Sequence, residues 1–286
     1  MLKEMKLYND ITIPIMGFGT WQIDNAITKK TIKDALKIGY RHIDTAIMYN
    51  NQKEVGEGIK ESQVKRSNLF ITSKIPAEVK TYNEAKENIK LSLQNLGLKY
   101  IDLVLIHAPR PFEEMNSLEN RYYEENLQVY KALEEAYEEG IIRAIGVSNF
   151  DVLDLKNIID NANIKPMVNQ IEFNIYHKPW DIIEFCQKEG IVVEAYSPIA
   201  LAKKIESDKI KKMARKYNAT ISQLCLQFAI QHNTVTISSV WICVKILFFL
   251  FIPQLTEKFL CYIIIAACII STSACIFQPL RCFQSS

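Results

Sequence analysis

The sequence predicts an α/β protein of the (β/α)8 TIM barrel class, preceded by an N-terminal β-hairpin. Short apolar runs rich in β-branched residues alternate with helical patterns at intervals of about 25–40 residues, as in βα units that form a parallel sheet. Eight such runs follow the hairpin. The length of 286 residues is ordinary for a single barrel.

The elements follow in order along the chain. A hairpin is predicted at Lys6–Ile15, because Asn9-Asp10 is a turn pair between two apolar runs. The barrel strands are predicted at 16–20, 41–46, 69–75, 102–107, 144–148, 167–173, 192–197 and 234–237. The intervening helices are predicted at 28–38, 52–61, 81–96, 120–139, 151–161, 179–189 and 206–231, with a break expected near Asn218.

Start and stop signals support several of these helices. Thr81 and Glu84 have the spacing of a capping box. Asp151 is a predicted N-cap, and Pro179 fits the first turn of its helix. Gly140 and Gly190 are predicted to end the helices that precede them, and Gly190 begins the link to the next strand.

Composition separates residues 1–237 from residues 238–286. The formal net charge of +2 lacks the basic excess typical of a nucleic-acid binder. Cys186 and Cys225 are the two cysteines of 1–237, which suits a reducing cytosol better than a disulfide scaffold. The N-terminus has no apolar stretch typical of a signal peptide. We therefore expect a cytoplasmic, monomeric barrel at 1–237.

The segment 238–286 is an atypical apolar tail that takes the place of the last helix and C-terminal loop of a barrel. Its charged residues are Lys245, Glu257, Lys258 and Arg281, and it contains no glycine. Residues 259–277 are nineteen consecutive uncharged residues, enough for a transmembrane candidate. The tail could cover the barrel, enter a membrane, or be aberrant sequence from a frame change, retained intron or alternative exon; we favour aberrant sequence.

Four polar residues follow or close the predicted strands near their C-terminal ends: Asp44, Tyr49, Lys74 and His107. Catalytic groups of an α/β barrel project from those ends, so the four are expected to converge. Each alone has a structural explanation, such as a helix cap for Asp44 or a core histidine for His107. A tyrosine beside a lysine and a carboxylate is suited to donating a proton, which points to carbonyl reduction.

Several motifs occur in one order along residues 1–237. They are Gly-Tyr-Arg-His-Ile-Asp-Thr-Ala-Ile-Met-Tyr at 39–49, Leu-Gly-Leu-Lys-Tyr-Ile-Asp-Leu-Val-Leu-Ile-His at 96–107, Gly-Val-Ser-Asn-Phe at 146–150, Val-Asn-Gln-Ile-Glu at 168–172 and Ala-Tyr-Ser-Pro at 195–198. Together these motifs closely resemble the aldo-keto reductases. The resemblance implies a TIM barrel that reduces aldehydes or ketones with NADPH.

The resemblance also implies the roles of the four residues. Tyr49 would protonate the carbonyl oxygen while NADPH delivers hydride to the carbon. A free tyrosine, with a pKa near 10, is a poor acid at neutral pH. Lys74 would lower that pKa, Asp44 would hold Lys74, and His107 would orient the substrate carbonyl.

Cofactor and pocket residues carry over individually. By resemblance, Ser148, Asn149 and Gln170 bind the nicotinamide carboxamide, Tyr196 stacks on its ring, and Ser197 contacts the pyrophosphate. Trp21 and His107 would line the substrate pocket, and Ala108 stands where many relatives have tryptophan. Gly17-Phe-Gly19 is followed by Gln22, so the G-x-G-x-x-G motif is absent. No metal ligand set is predicted.

The resemblance stops after Thr234–Ile237. Ser238, Ser239 and Val240 stand where the family has Pro, Lys and Ser, and the basic residues that would grip the 2′-phosphate of NADPH are missing. Three hypotheses follow: an NADPH-dependent reductase, a catalytically impaired or non-enzymatic barrel, and a reductase tethered to a membrane through 259–277. The first is our prediction, with a small carbonyl compound as substrate and no nucleic acid as partner.

Overall fold

A computed structural model of the chain describes residues 3–117, 119–199 and 207–238. Within them, parallel strands close into a barrel in which each strand pairs with the next and the last pairs with the first. The barrel strands are β3 (Met16–Gly19), β4 (His42–Asp44), β5 (Phe70–Ile75), β6 (Ile101–Ile106), β7 (Ile142–Ser148), β8 (Val168–Glu172), β9 (Val192–Tyr196) and β10 (Thr234–Ser238). The predicted TIM barrel is confirmed.

Helices connect the strands, as predicted. They are α1 (Asn25–Ile38), α2 (Gln52–Glu61), α3 (Tyr82–Leu96), α4 (Tyr123–Glu138), α5 (Val152–Asn161), α6 (Trp180–Glu189), α7 (Asp208–Lys216) and α8 (Ile221–Gln231), with short 3-10 turns at Ile47–Tyr49, Arg66–Asn68 and Phe112–Glu114. The long last helix is broken as expected, because Asn218 adopts a left-handed φ of 50° between α7 and α8.

Some boundaries differ from the prediction for local reasons. Helix α1 begins at Asn25 because Asp24 caps it by accepting from the Ala26 N–H. Helix α4 begins at Tyr123, since Tyr122 has a φ of 54° that no helix continues. Asp151 forms a full capping box with Asp154 at the start of α5, confirming the predicted N-cap.

The N-terminal hairpin forms slightly earlier than predicted. It consists of β1 (Glu4–Lys6) and β2 (Thr12–Pro14), which are antiparallel. The predicted turn is confirmed, with Asp10 at a φ of 68°. Asn9 donates to the Arg143 carbonyl at the start of β7, so the hairpin lies at the N-terminal ends of the barrel strands.

Inside the barrel, a polar layer replaces part of the usual apolar filling. His42 and Asp44 on β4, Lys74 on β5, Gln170 on β8 and Glu194 on β9 are all buried. A glycine at position 17 gives this layer room. A Cβ there would lie 2.3 Å from Ile237 Cδ1 and 2.8 Å from His42 Nδ1, so a larger residue would need these neighbours to move.

The predicted domain boundary falls at the end of β10, which includes Ser238. The rest of the predicted tail, with the candidate transmembrane stretch 259–277, lies outside the described residues. Among the helices of the described part, none combines the length and apolar character needed to cross a membrane.

Candidate active site

The four residues predicted to converge do so at the C-terminal end of the barrel. Asp44 ends β4, Lys74 lies near the end of β5, and His107 directly follows β6. Tyr49 lies in the 3-10 turn that follows β4. The Lys74 ammonium Nζ is 2.6 Å from Asp44 Oδ1 and 3.2 Å from the Tyr49 hydroxyl oxygen.

Lys74 is 0% exposed, so its charge depends entirely on these partners. Its three N–H groups are donated to Asp44 Oδ1, the Thr45 carbonyl oxygen and the Tyr49 hydroxyl oxygen. Burial disfavours the ammonium, but the Asp44 carboxylate and Tyr49 more than offset it and raise the pKa of Lys74 above its ordinary value. The lysine therefore remains charged at neutral pH.

The pKa of Tyr49 departs from the expectation. Burial raises the pKa of the Tyr49 phenol above 10, and the neighbouring Lys74 ammonium, which lowers it, does not fully compensate. Lys74 thus acts in the expected direction, and burial sets the net direction of the pKa. The physical reason is that the phenolate would be poorly solvated in this largely buried position.

His107 forms one wall of the same end of the barrel. Its ring packs edge-on to Tyr49, with centroids 5.7 Å apart, and edge-on to Phe112 at 5.1 Å. Burial and the Lys74 charge hold the pKa of His107 well below its usual value, so the imidazole is neutral. Its Nδ1 atom is buried and has no hydrogen-bond partner.

A second polar cluster joins the ends of β7, β8 and β9. The Ser148 hydroxyl donates to the main-chain carbonyl oxygen of Gln170 at 2.9 Å. The Asn149 amide donates to the His107 carbonyl oxygen at 3.0 Å, and the Tyr196 hydroxyl donates to Asn149 Oδ1 at 2.8 Å. Four of the predicted cofactor residues thus lie together beside His107.

Two predicted site residues make no such contact. Trp21 follows β3 at the C-terminal end of the barrel and is 55% exposed. Ser197 is also exposed and has a left-handed φ of 49°. In the described part of the chain, no hydrogen bond or ring contact joins either side chain to Asp44, Tyr49, Lys74 or His107. Ala108 is fully buried.

The side-chain amide of Gln170 connects the two clusters. Its Nε2 atom lies 2.8 Å from Asp44 Oδ2 and 2.7 Å from Glu194 Oε2. Glu194 was missed from the sequence, although a lone charge inside the apolar run Ile191–Ala195 was a signal. His42 was missed too, although it lies two residues before Asp44 and so shares its face of the strand.

Glu194 and His42 form a buried pair inside the barrel. Glu194 Oε1 and His42 Nε2 are 3.5 Å apart, within range of an ion pair. Burial together with the Asp44 charge raises the pKa of Glu194 to about 8, and burial lowers the pKa of His42 to about 4. Both shifts favour the uncharged forms of the two side chains.

Within the described residues, no group of three or more His, Cys, Asp and Glu side chains could hold a metal ion. What the C-terminal end offers is a phenol, a neutral imidazole and an ammonium. A TIM barrel with such groups at the C-terminal ends of its strands has the architecture of a barrel enzyme.

Comparison with known proteins identifies the family. The sequence profile of the Aldo/keto reductase family matches residues 15–241. The chain therefore belongs to the aldo/keto reductase family. The sequence resemblance is thereby confirmed.

Individual relatives agree with this assignment. The chain is 39% identical over 234 residues to glyoxal reductase of Bacillus subtilis, covering 82% of this chain and 80% of that protein. The structure of an aldo-keto reductase from a Medee basin deep-sea metagenome library has a TM-score of 0.84 and 34% identity, covering 98% and 100% of the two chains. The Bombyx mori aldo-keto reductase in complex with NADP has a TM-score of 0.81 and 29% identity, covering 92% of each chain.

Proposed function

We propose that this protein reduces aldehydes or ketones to alcohols with NADPH, and that Tyr49 donates the proton to the carbonyl oxygen. One observation carries the proposal. A lysine ammonium has donors only, so the Tyr49 hydroxyl oxygen must accept from Lys74. The hydroxyl proton of Tyr49 then points away from Lys74 and is free for another acceptor.

The chain's own groups supply the proton chemistry. NADPH, when bound, supplies the hydride that the carbonyl carbon receives. A phenol whose pKa is raised keeps its proton at neutral pH until a strongly basic oxygen develops on the substrate. The Lys74 ammonium, held by Asp44, then stabilises the phenolate that remains.

His107 is proposed to orient the substrate. Its Nδ1 atom is buried without a partner, and a buried unpaired N–H is rarer in proteins than an unpaired acceptor. We therefore place the imidazole proton on Nε2, where it would donate to the carbonyl oxygen. Trp21 would form an exposed wall of the pocket.

Cofactor binding is proposed at the Ser148–Asn149–Gln170–Tyr196 cluster. A carboxamide both donates and accepts hydrogen bonds. Gln170 is 3% exposed, and among the described residues nothing donates to its side-chain carbonyl oxygen. That open acceptor fits a carboxamide N–H, and Tyr196 would stack on the nicotinamide ring. Ser197 would contact the pyrophosphate.

The missing Pro-Lys-Ser segment predicts weak discrimination between cofactors. Each charge-assisted hydrogen bond lost from a 2′-phosphate costs roughly 1.5–3 kcal/mol, which is about tenfold in affinity for every 1.4 kcal/mol. We expect NADPH to bind less than about tenfold tighter than NADH, which titration by fluorescence would measure. A preference above about a hundredfold would show that other residues grip the phosphate.

The test of the proposed function compares two tyrosines. NADPH oxidation in the presence of an aromatic aldehyde is followed for the wild type, Tyr49→Phe and Tyr100→Phe. Tyr100 lies at the opposite end of the barrel, where its ring stacks on Arg66. We expect Tyr49→Phe to lose about 10²–10⁴-fold in kcat, with Tyr100→Phe unchanged. Equal activity of Tyr49→Phe and the wild type would refute the role of Tyr49.

A further inference from the structure

The Gln170 side chain spans the interior of the barrel. Strands β4 and β8 are on opposite sides of the closed sheet, yet Gln170 Nε2 on β8 reaches Asp44 Oδ2 on β4 at 2.8 Å. The same nitrogen lies 2.7 Å from Glu194 Oε2 on β9. Gln170 and Glu194 are direct neighbours in the parallel register of β8 and β9.

These two contacts determine which way the amide faces. Asp44 is already the acceptor for Lys74 through its other oxygen, so its Oδ2 needs a donor and would repel an amide oxygen. The atom between Asp44 and Glu194 must therefore be the Gln170 nitrogen, with one N–H for each carboxyl group. The side-chain oxygen Oε1 of Gln170 is left facing elsewhere, without a donor among the described residues.

Resting on the proposed function, we propose that Glu194 is a positioning residue for the cofactor site. By accepting one N–H of Gln170, it turns the amide so that the second N–H binds Asp44 and the carbonyl oxygen is presented to the nicotinamide carboxamide. Glu194 touches neither cofactor nor substrate in this arrangement. It acts only through Gln170.

The surroundings of Glu194 fit this role. The side chain is 0% exposed, and its Oε1 atom lies 3.5 Å from His42 Nε2. Burial raises the pKa of Glu194 and favours its protonated form, in which Oε2 accepts from Gln170 without adding a second negative charge beside Asp44. A buried carboxyl that merely filled space would be replaceable by an apolar residue of the same size.

The test uses the full chain and three variants. Glu194→Met has similar volume and lacks a strong acceptor, Glu194→Thr is too short to reach Gln170, and Glu194→Gln keeps an acceptor oxygen. NADPH binding is measured by fluorescence. Side-chain amide signals of Gln170, identified by their loss in Gln170→Met, are followed by NMR and hydrogen exchange in the protein without ligands.

We expect Glu194→Met and Glu194→Thr to weaken NADPH binding about tenfold and to raise the KM of NADPH by about the same factor. The KM of the aldehyde should change less than twofold. Glu194→Gln should restore binding to within about threefold of the wild type. In the wild type without ligands, the Gln170 amide protons should exchange slowly, and in Glu194→Met one of them should exchange faster.

Wild-type NADPH affinity in a folded Glu194→Met would overturn the proposal. Rapid exchange of both Gln170 amide protons in the wild type would overturn it even if neither Glu194→Met nor Glu194→Thr folds. An inactive wild type with slowly exchanging Gln170 amide protons would contradict the proposed function while leaving this hydrogen-bond arrangement intact. The two failures are therefore distinguishable.

Discussion

Two buried aspartates lie at opposite ends of the barrel, and their partners differ. Asp102, near the start of β6, accepts from Arg66 at 2.6 Å, from Arg143 at 2.7 Å and from the Ile71 N–H at 2.9 Å. Both arginines reach solvent, with side chains 21% and 43% exposed. The charge of Asp102 is thus compensated twice, by groups anchored at the surface.

Asp44, at the end of β4, has a single cationic partner among the residues that the structure describes. Lys74 is fully buried and shares its ammonium between Asp44 and Tyr49. The second oxygen of Asp44 is bound by the Gln170 amide. A surplus of partners compensates the aspartate at the N-terminal end, whereas at the C-terminal end one cation is shared between Asp44 and Tyr49, the proton donor that we propose. This division follows the general rule for TIM barrels.

The largest expected difference is between a variant that removes a cationic partner of Asp44 and one that removes a cationic partner of Asp102. Lys74→Met should lose about 10²–10⁴-fold in kcat and about 3–5 kcal/mol in the free energy of unfolding, because Asp44 is left buried without a counter-ion. Arg143→Met leaves Arg66 in place and should keep kcat within twofold, at a smaller cost in stability. Steady-state kinetics and urea unfolding measure both quantities. A folded but inactive Arg143→Met variant would contradict the difference in role between the two aspartates.

The free energy of unfolding should depend on pH through Glu194, the buried carboxyl group near Asp44. Its folded pKa of about 8 exceeds the ordinary value of 4.5, so the folded state binds more protons between these values. The free energy of unfolding therefore falls by on the order of a few kcal/mol as the pH rises from 4.5 to 8. It levels off above pH 8.

Glu194→Gln removes the titrating carboxyl group, so this variant is the control with which the wild type is compared. The low pKa of His42, about 4, adds a rise in stability from pH 4 to 6.5 in both proteins, since there the unfolded state binds more protons. The difference between wild type and variant therefore isolates Glu194. A difference in unfolding free energy that stays constant from pH 4.5 to 8 would contradict the raised pKa.

A smaller effect is expected from filling the space beside His42. In Gly17→Ala the new Cβ would meet Ile237 Cδ1 and the His42 ring. Overpacking of this kind costs about 1–3 kcal/mol, and thermal unfolding should show the loss. An unchanged melting temperature would mean that the polar layer is less tightly packed than its distances indicate.

The smallest expected effect concerns the pocket wall. Phe112 packs edge-on to His107 and is 39% exposed, whereas Ala108 offers no ring. An aromatic contact contributes about 0.5–1.5 kcal/mol. Phe112→Leu should therefore raise the KM of an aromatic aldehyde about two- to tenfold relative to that of a small aliphatic aldehyde. Parallel changes for both aldehydes would exclude Phe112 from substrate recognition.

The sequence predicted the barrel well because its strands are buried on both faces. Such strands read as continuous β-branched runs, and each amphipathic helix between them has a clear period. The boundaries were less predictable where one residue decided them. The left-handed Tyr122 at the start of α4 is such a case, since tyrosine carries no signal for that conformation.

Site residues could be predicted from the sequence only where a polar side chain of a chemically distinctive type stands beside an apolar run. Asp44, Tyr49, Lys74 and His107 follow or close apolar runs and stand out as polar exceptions. The link through Gln170 to Glu194 joins residues 24 to 126 positions apart across the barrel, and no local pattern encodes such a contact. The net pKa of Tyr49 depends on burial in the folded state, which the sequence does not display.

Transfer of deuterium from cofactor to product tests the account most directly. The purified chain is incubated with NADPH deuterated at the nicotinamide C4 position and an aromatic aldehyde, and the alcohol is analysed by mass spectrometry. We predict an alcohol carrying deuterium on its carbinol carbon, formed by the wild type and by Arg143→Met but reduced about 10²–10⁴-fold in Tyr49→Phe. A folded wild type that binds NADPH and forms no deuterated alcohol would contradict the account.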